Sequence, residues 1–530
     1  MKNLFKTVAL AAVVLGVSSG CQKDFLTEVP QDFVSPGIFY KNAGDATAAV
    51  NAVYGSFINL NSPLSSSQYM GRNLWMVLEY PTEVVTSRLS AANERSLVDN
   101  YHTQFNSAHT YLQGIWEAAY AGINRANSAI EQVPNVPMDA ARRDQLVAEA
   151  KYLRALHYYY LAGLFGGVPL KLTATSSITG DNLTRSTAAE TWTQIEKDLT
   201  DAAAVLPAAW GGSDFGRATK GAALTLLGKV YLQSAGTTGT AGDWKKGLDA
   251  LQTVMTLGYA LDPSYATLFN GTNERSKEII FSLQNVRVDG SGGTLTQWFV
   301  PVTSPALYAL SQQNQFQAER AFYDSYNAND VRKDGTWMTS FTNAGKLVTW
   351  AWTSGIQSAT SYGSTGPVPR KYVDLAGAST NGEEPDVVIT RYADVLLSAA
   401  EASNEVSGPT ASAYDYVNQV RARAKVPNLT AGLSQGAFRD SVYLERRYEL
   451  ALEAHGLFDN RRNWTWSKAR IEASMSNIST ANKSPFTSAT TKFDARPLGD
   501  KWKLYPIPLR ACQLNPLLVQ NAGWEDGVCK

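Results

Sequence analysis

The sequence predicts a mainly α-helical fold, with helix pairs stacked in a tetratricopeptide-like frame and loop-rich insertions that carry a few short β-strands. Three observations lead there. Apolar residues recur at alternating spacings of three and four in paired segments, and Gly and Pro stop those segments. The longest stretch without that period, residues 258–385, is rich in Gly, Ser, Thr and Asn.

Trp116, Tyr120, Ile123, Asn127 and Ile130 fall on one face of a first helix, which Pro134 ends. Leu146, Ala150, Leu153, Tyr160 and Leu164 repeat the pattern until Gly166, Gly167 and Pro169 stop it, so the two segments read as a helical hairpin. Tyr158, Tyr159 and Tyr160 cannot share one helical face, so at least one covers a neighbouring element, and a core role is expected for them. A polar loop over 172–187 leads to a helix-like stretch over 188–206. Residues 220–233 are rich in Gly and Ala, which lets a partner helix approach closely. Trp244, Leu248, Leu251 and Met255 form that partner's stripe, with a turn expected over 236–242.

A third pair runs over 391–405 and 411–424, with Tyr414, Val417 and Val420 facing inward. The spacing between pairs is irregular, which favours an array over a regular solenoid. Strand-like runs appear at 278–283 and 346–352, inside the long insertion. Pro506, Pro508 and Pro516 set an extended C-terminal run that should wrap the helical body.

At the N-terminus, Lys2 and Lys6 precede an apolar run that meets Ser18-Ser19-Gly20-Cys21. This is the pattern of a secretory signal over residues 1–20, too short to span a bilayer. Small residues before a Cys suit a lipoprotein signal peptidase, so Cys21 is expected to carry acyl chains and to begin the mature chain. No later apolar run is long enough to cross a membrane, which leaves the acyl chains as the expected attachment. Cys512 and Cys529 are the other two cysteines of an exported chain, and the sequence leaves open whether they pair or stay as thiols.

The 530 residues carry 47 basic and 47 acidic side chains, a balance that argues against nucleic acid as a partner. Nucleotide-cofactor motifs are missing from the chain, so no cofactor is expected. The four histidines, at 102, 109, 157 and 455, form no zinc-type spacing, and the sequence does not decide whether the insertions hold a calcium ion. A Gly-x-Ser-x-Gly match at 16–20 lies in the signal segment and would be removed with it. The sharper enzymatic reading is Glu445, Glu449 and Glu453, spaced i, i+4 like a glycosidase acid/base pair. Arg446, Arg447, Arg461 and Arg462 interleave with them and favour ionised carboxylates, so an ion-pair network fixing a helix and its following turn is the expected role.

Four segments carry a family resemblance. They are residues 149–170 (EAKYLRALHYYYLAGLFGGVPL), 389–402 (ITRYADVLLSAAEA), 445–462 (ERRYELALEAHGLFDNRR), and a C-terminal set made of YPIP at 505–508, Asn515-Pro516 and QNAGW at 520–524. In this order, and with the lipobox, they resemble the SusD/RagB proteins over nearly the whole mature chain. The resemblance implies one SusD-like unit over 21–530, with an N-terminal part over about 21–235 and a C-terminal part over about 260–530. It also implies anchoring at the outer-membrane surface, no catalysis, and pairing with a SusC-like TonB-dependent transporter. An oligosaccharide is the expected ligand, with a peptide as the alternative seen in some relatives and a surface glycoside hydrolase as the less favoured class.

For the ligand site, Glu83, Arg88 and Tyr101 lie in the polar stretch where relatives often place contact residues. Val348, Trp350 and Trp352 alternate along a strand-like run, which puts both indoles on one side as a stacking platform, and Trp298 follows another Gly-rich loop.

Overall fold

The structure is a computed structural model that describes residues 39–58, 69–87, 94–99, 101, 104–175, 182–240, 242–286, 295–300, 314–343, 346–349, 366–374, 383–480, 498–525 and 528–529. Helix α1 (Ala43–Gly55) packs on α2 (Thr110–Gln132) and α3 (Ala140–Phe165). From there each helix packs on the next: α3 on α4 (Ala188–Val205), α4 on α5 (Lys220–Thr238), α5 on α6 (Gly242–Met255). Helix α7 (Tyr392–Ser407) then packs on α6, with α8 (Ala411–Arg423) and α9 (Gln435–Leu450) against α7. The fold is mainly α, with short strands confined to two-stranded sheets among the described residues.

The expected helix pairs are present, and their ends follow the local chemistry. Thr187 and Glu190 form a reciprocal cap at the start of α4, and the Asp139 side chain caps α3. The turn expected over 236–242 is shorter than the sequence suggested. Helix α5 continues through Gly236 to Thr238, and Gly239 ends it with φ 78°. Gly236 serves close packing instead, because a Cβ there would lie 2.3 Å from Arg462 Cγ. Gly228 and Gly247 do the same between α5 and α6, where added Cβ atoms would meet Leu251 and Leu232.

Tyr158, Tyr159 and Tyr160 are all buried; the Tyr158 hydroxyl donates to Lys171 O and accepts from Lys171 N. Val417 and Val420 are buried as expected, while Tyr414 is half-buried and stacks edge-on against Phe438. Strand Ile279–Leu283 pairs antiparallel with Val387–Arg391, which hands the chain straight into α7. The second strand-like run forms Lys346–Thr349 against Ser340–Asn343; Trp350 and Trp352 lie outside the described residues.

The C-terminal run does wrap the helical body. Tyr505 N donates to Leu164 O, the Tyr505 hydroxyl to Val77 O, and Asn521 Nδ2 to Phe165 O, three links to the first half of the chain. Tyr101, Phe105, Trp502, Tyr505 and Trp524 interlock around them with ring centroids 4.9–5.5 Å apart. Cys512 and Cys529 are joined as a disulfide with Cα atoms 5.2 Å apart. No described helix is long and apolar enough to cross a membrane.

Candidate functional site

Glu445, Glu449 and Glu453 are buried, and each is paired. Their partners, however, are not the arginines that interleave with them in sequence. Glu445 meets Arg332 and Arg421, Glu449 meets Arg332, Arg391 and Arg423, and Glu453 meets Lys371 and Arg391. Asp330 and Glu278 complete the set through Arg332, Arg391 and Arg423. Five cations (Arg332, Lys371, Arg391, Arg421, Arg423) thus face five carboxylates (Glu278, Asp330, Glu445, Glu449, Glu453) in one neutral buried network. Leu452 and Ala454 take left-handed φ of 62° and 60°, which turns the end of α9 so that Glu449 O and Ala451 O accept from Lys371 Nζ.

The interleaved arginines point the other way. Arg446 binds Asp394 and Asp459, Arg462 binds Glu401 and Asp459, and Arg447 reaches Glu83 and Asp459, while Arg461 caps the carbonyls of Gly163 and Leu164. Burial alone would raise the Glu449 carboxyl, but Arg423, Arg391 and Arg332 outweigh it and hold it well below the usual range. Glu453 is lowered against burial by Arg391 and Lys371. A general acid needs a retained proton, so these carboxylates are arranged as structural anions.

The residues expected at a ligand site are placed as follows. Glu83 is buried and paired with Arg447 at 3.4 Å and Arg470 at 3.2 Å. Its carboxyl is raised by burial but lowered overall by those two cations. Tyr101 is buried in the aromatic cluster of the C-terminal run, with φ 50° and its hydroxyl donating to Pro81 O. Both side chains are thus buried in the protein, with Glu83 Oε2 left unbonded, which the polarity of their sequence neighbourhood did not reveal. Arg88, Trp350, Trp352 and Cys21 lie outside the described residues.

Trp298 is also buried, 9% exposed, but its indole N–H is unbonded. It sits on the short helix Leu295–Phe299, beside segment 69–73 and strand Phe316–Ala318, which itself pairs with Val85–Ser87. There the half-buried Arg72 guanidinium lies 5.2 Å from the Trp298 ring and 5.3 Å from the Tyr111 ring. Trp298 Nε1 and both amide atoms of the buried Asn314 have no hydrogen-bond partner in the protein. Such atoms are costly unless something else bonds them. Arg72, Tyr111 and Asn314 were not foreseen, and only the Trp298 indole gave a sequence signal. Among the described residues no group of three His, Cys, Asp or Glu could share a metal ion.

The described residues thus form an array of packed helix pairs, with Arg72 and Trp298, on segments outside it, gathered beside Tyr111 of α2. The chain belongs to the SusD family: it matches that family over residues 242–524, and residues 59–232 match the family described as starch-binding, associating with the outer membrane. It is 28% identical to SusD-like protein P2 of Formosa agariphila over 85% of this chain and 89% of that one. A SusD homolog from Bacteroides thetaiotaomicron shares the fold with a TM-score of 0.78 at 24% identity, covering 95% of this chain and 100% of the other. A laminarin-binding SusD-like protein is similar with a TM-score of 0.71, 24% identity, and coverage of 91% and 100%.

Proposed function

We propose that this protein captures oligosaccharides at the outer-membrane surface and delivers them to a SusC-like TonB-dependent transporter. The observation that carries the reading is the Arg72, Trp298 and Tyr111 cluster, with the unbonded Asn314 amide beside it. Sugar recognition uses aromatic rings for C–H groups and polar groups for hydroxyls; here Trp298 and Tyr111, 9% and 7% exposed, supply the rings, and the unbonded Trp298 Nε1 and Asn314 amide supply the polar groups. Family membership and the laminarin-binding relative support the same ligand class. Arg88, Trp350 and Trp352 belong to the proposed ligand-contact set through their segments; Glu83 and Tyr101 act behind it, as the buried supports of that region.

Trp298→Ala should weaken glycan binding by about 1 kcal/mol or more, roughly fivefold in affinity, with Trp298→Phe intermediate. Isothermal titration of the mature protein against candidate glycans reads this, with thermal unfolding as the check on folding. Unchanged affinity in a folded Trp298→Ala protein would remove this site from consideration.

Anchoring is proposed through acylated Cys21, which would hold the protein at the membrane where a transporter can meet it. Cys21→Ala is expected to move the protein to the soluble fraction, whereas the wild type in detergent should co-purify with a large β-barrel partner. Retention of the variant on salt-washed membranes would contradict the anchor, and a wild type recovered alone beside an intact transporter would contradict the pairing.

A further inference from the structure

Leu514, Val519, Leu183 and Leu517 are 68%, 51%, 40% and 38% exposed, an unusual density of bare aliphatic side chains on so short a stretch of surface. They are held together. Asn515 Nδ2 donates to Leu183 O, Arg185 Nη1 donates to Val519 O, and the Cys512–Cys529 disulfide ties the short helix Leu509–Leu514 to the end of the chain. Beside this ledge opens a cavity of about 220 Å³, lined by Trp116, Tyr120, Leu183, Leu514 and Leu518, with Lys171 and Arg510 among its polar residues. Its size suits one large apolar side chain. It is remote in sequence from Arg72 and Trp298 and has no part in the proposed glycan site.

We infer that this ledge is the docking surface for residues 22–38 of the same chain, the stretch that joins Cys21 to the folded body. Reach comes first. The described chain begins at Phe39, and the Tyr40 hydroxyl shares a hydrogen bond with Ser128 Oγ on α2. Gln113, Glu117, Tyr120, Asn124 and Ser128 recur every three or four residues, so they lie along one side of α2. From Ser128 to Glu117 at the cavity is about 16 Å at 1.5 Å per residue. Seventeen residues, 22–38, span up to about 56 Å when extended.

Chemistry comes second. Phe25, Leu26, Val29, Phe33 and Val34 supply apolar anchors, and Asp24, Glu28 and Asp32 recur every fourth position against one lysine, Lys23. Arg510, 57% exposed at the cavity rim, pairs with Glu117 at 3.6 Å, and Lys171 lines the same cavity, so the rim carries two cations against one carboxylate. An acidic segment with aromatic and aliphatic anchors is the complement of an apolar ledge with a cationic rim. Docking shortens the link between Cys21 and the body, so the segment acts as a retractable tether that sets how far the protein stands from the membrane.

A photo-reactive phenylalanine placed at the exposed position 514 of the full mature lipoprotein, irradiated in membranes, tests this. Most adducts are expected within residues 22–38 of the same polypeptide, and Arg510→Glu should lower their yield severalfold. In parallel, amide exchange of residues 24–34 should be slowed in the wild type and at least about tenfold faster in a Leu183→Asp/Leu514→Asp variant. Adducts to a second copy, to a transporter or to lipid in place of 22–38, or no adduct at all, overturn the assignment. So does exchange of 24–34 that is equally fast in both proteins.

Discussion

Replacing Arg391 by Met is expected to destabilise the protein by about 3–5 kcal/mol, read as a lowered urea midpoint in equilibrium unfolding of the mature chain. Arg391 is buried and donates to Glu278, Glu449 and Glu453 and to the Glu449 carbonyl. Removing it leaves four cations against five carboxylates in a buried region. The same burial makes the intact network only modestly stabilising, because desolvation offsets attraction; the large effect comes from the charge left over. Arg391→Lys keeps the charge but not the forked donors, so it should fall between the two. A loss under about 1 kcal/mol for Arg391→Met would mean that the network is not desolvated as described.

That network also marks the limit of what was legible beforehand. The i, i+4 spacing of Glu445, Glu449 and Glu453 and the nearby arginines were enough to predict ionised, structural carboxylates. They could not identify the partners, because Arg332, Lys371 and Arg391 come from the long insertion and the strand before α7, more than 50 residues away from the carboxylates they meet. Helix periods and stops are local properties, and α2, α3, α4 and α6 were readable from them. Gly236 misled because a glycine that ends a helix and one that lets Arg462 approach look alike in sequence. The burial of Glu83 and Tyr101 was hidden for a related reason: the polarity of 81–101 is visible, while the aromatic cluster and the arginines packed on them are contributed by residues 447–524.

Stability should be nearly flat from about pH 6.5 to 4.5 and then fall steeply below about pH 4. Two pairs of groups oppose each other in the upper range. Burial lowers His157 and His455 to about 3, so they stay neutral when folded while the unfolded chain takes up their protons below 6.5. That costs stability as pH falls. Burial raises Glu79 and Asp386 to about 7, so the folded chain binds their protons earlier than the unfolded one, which adds stability as pH falls through the same window.

Below it the balance ends. Glu83, Asp394, Glu449, Glu453 and Asp459 are all raised by burial but held below their ordinary values by neighbouring Arg and Lys. Their contribution is present above the unfolded carboxylate value and lost as pH drops toward the folded one. Each adds a slope of about 1.4 kcal/mol per pH unit once the unfolded chain protonates. Urea midpoints measured from pH 7 to 3 read the profile, and a smooth decline starting at pH 6.5 would contradict the assigned compensation.

The C-terminal run has a consequence for biogenesis. Trp502, Tyr505 and Trp524 fill a core whose other walls are Val77, Tyr101, Phe105 and the end of α3, so the first third of the polypeptide lacks its last packing partners until synthesis is nearly complete. Contacts that join residue 77 to residue 505 close a loop of 428 residues, and such closures come late and slowly. A nascent chain emerging from the ribosome therefore stays short of its native state until residues 502–524 follow.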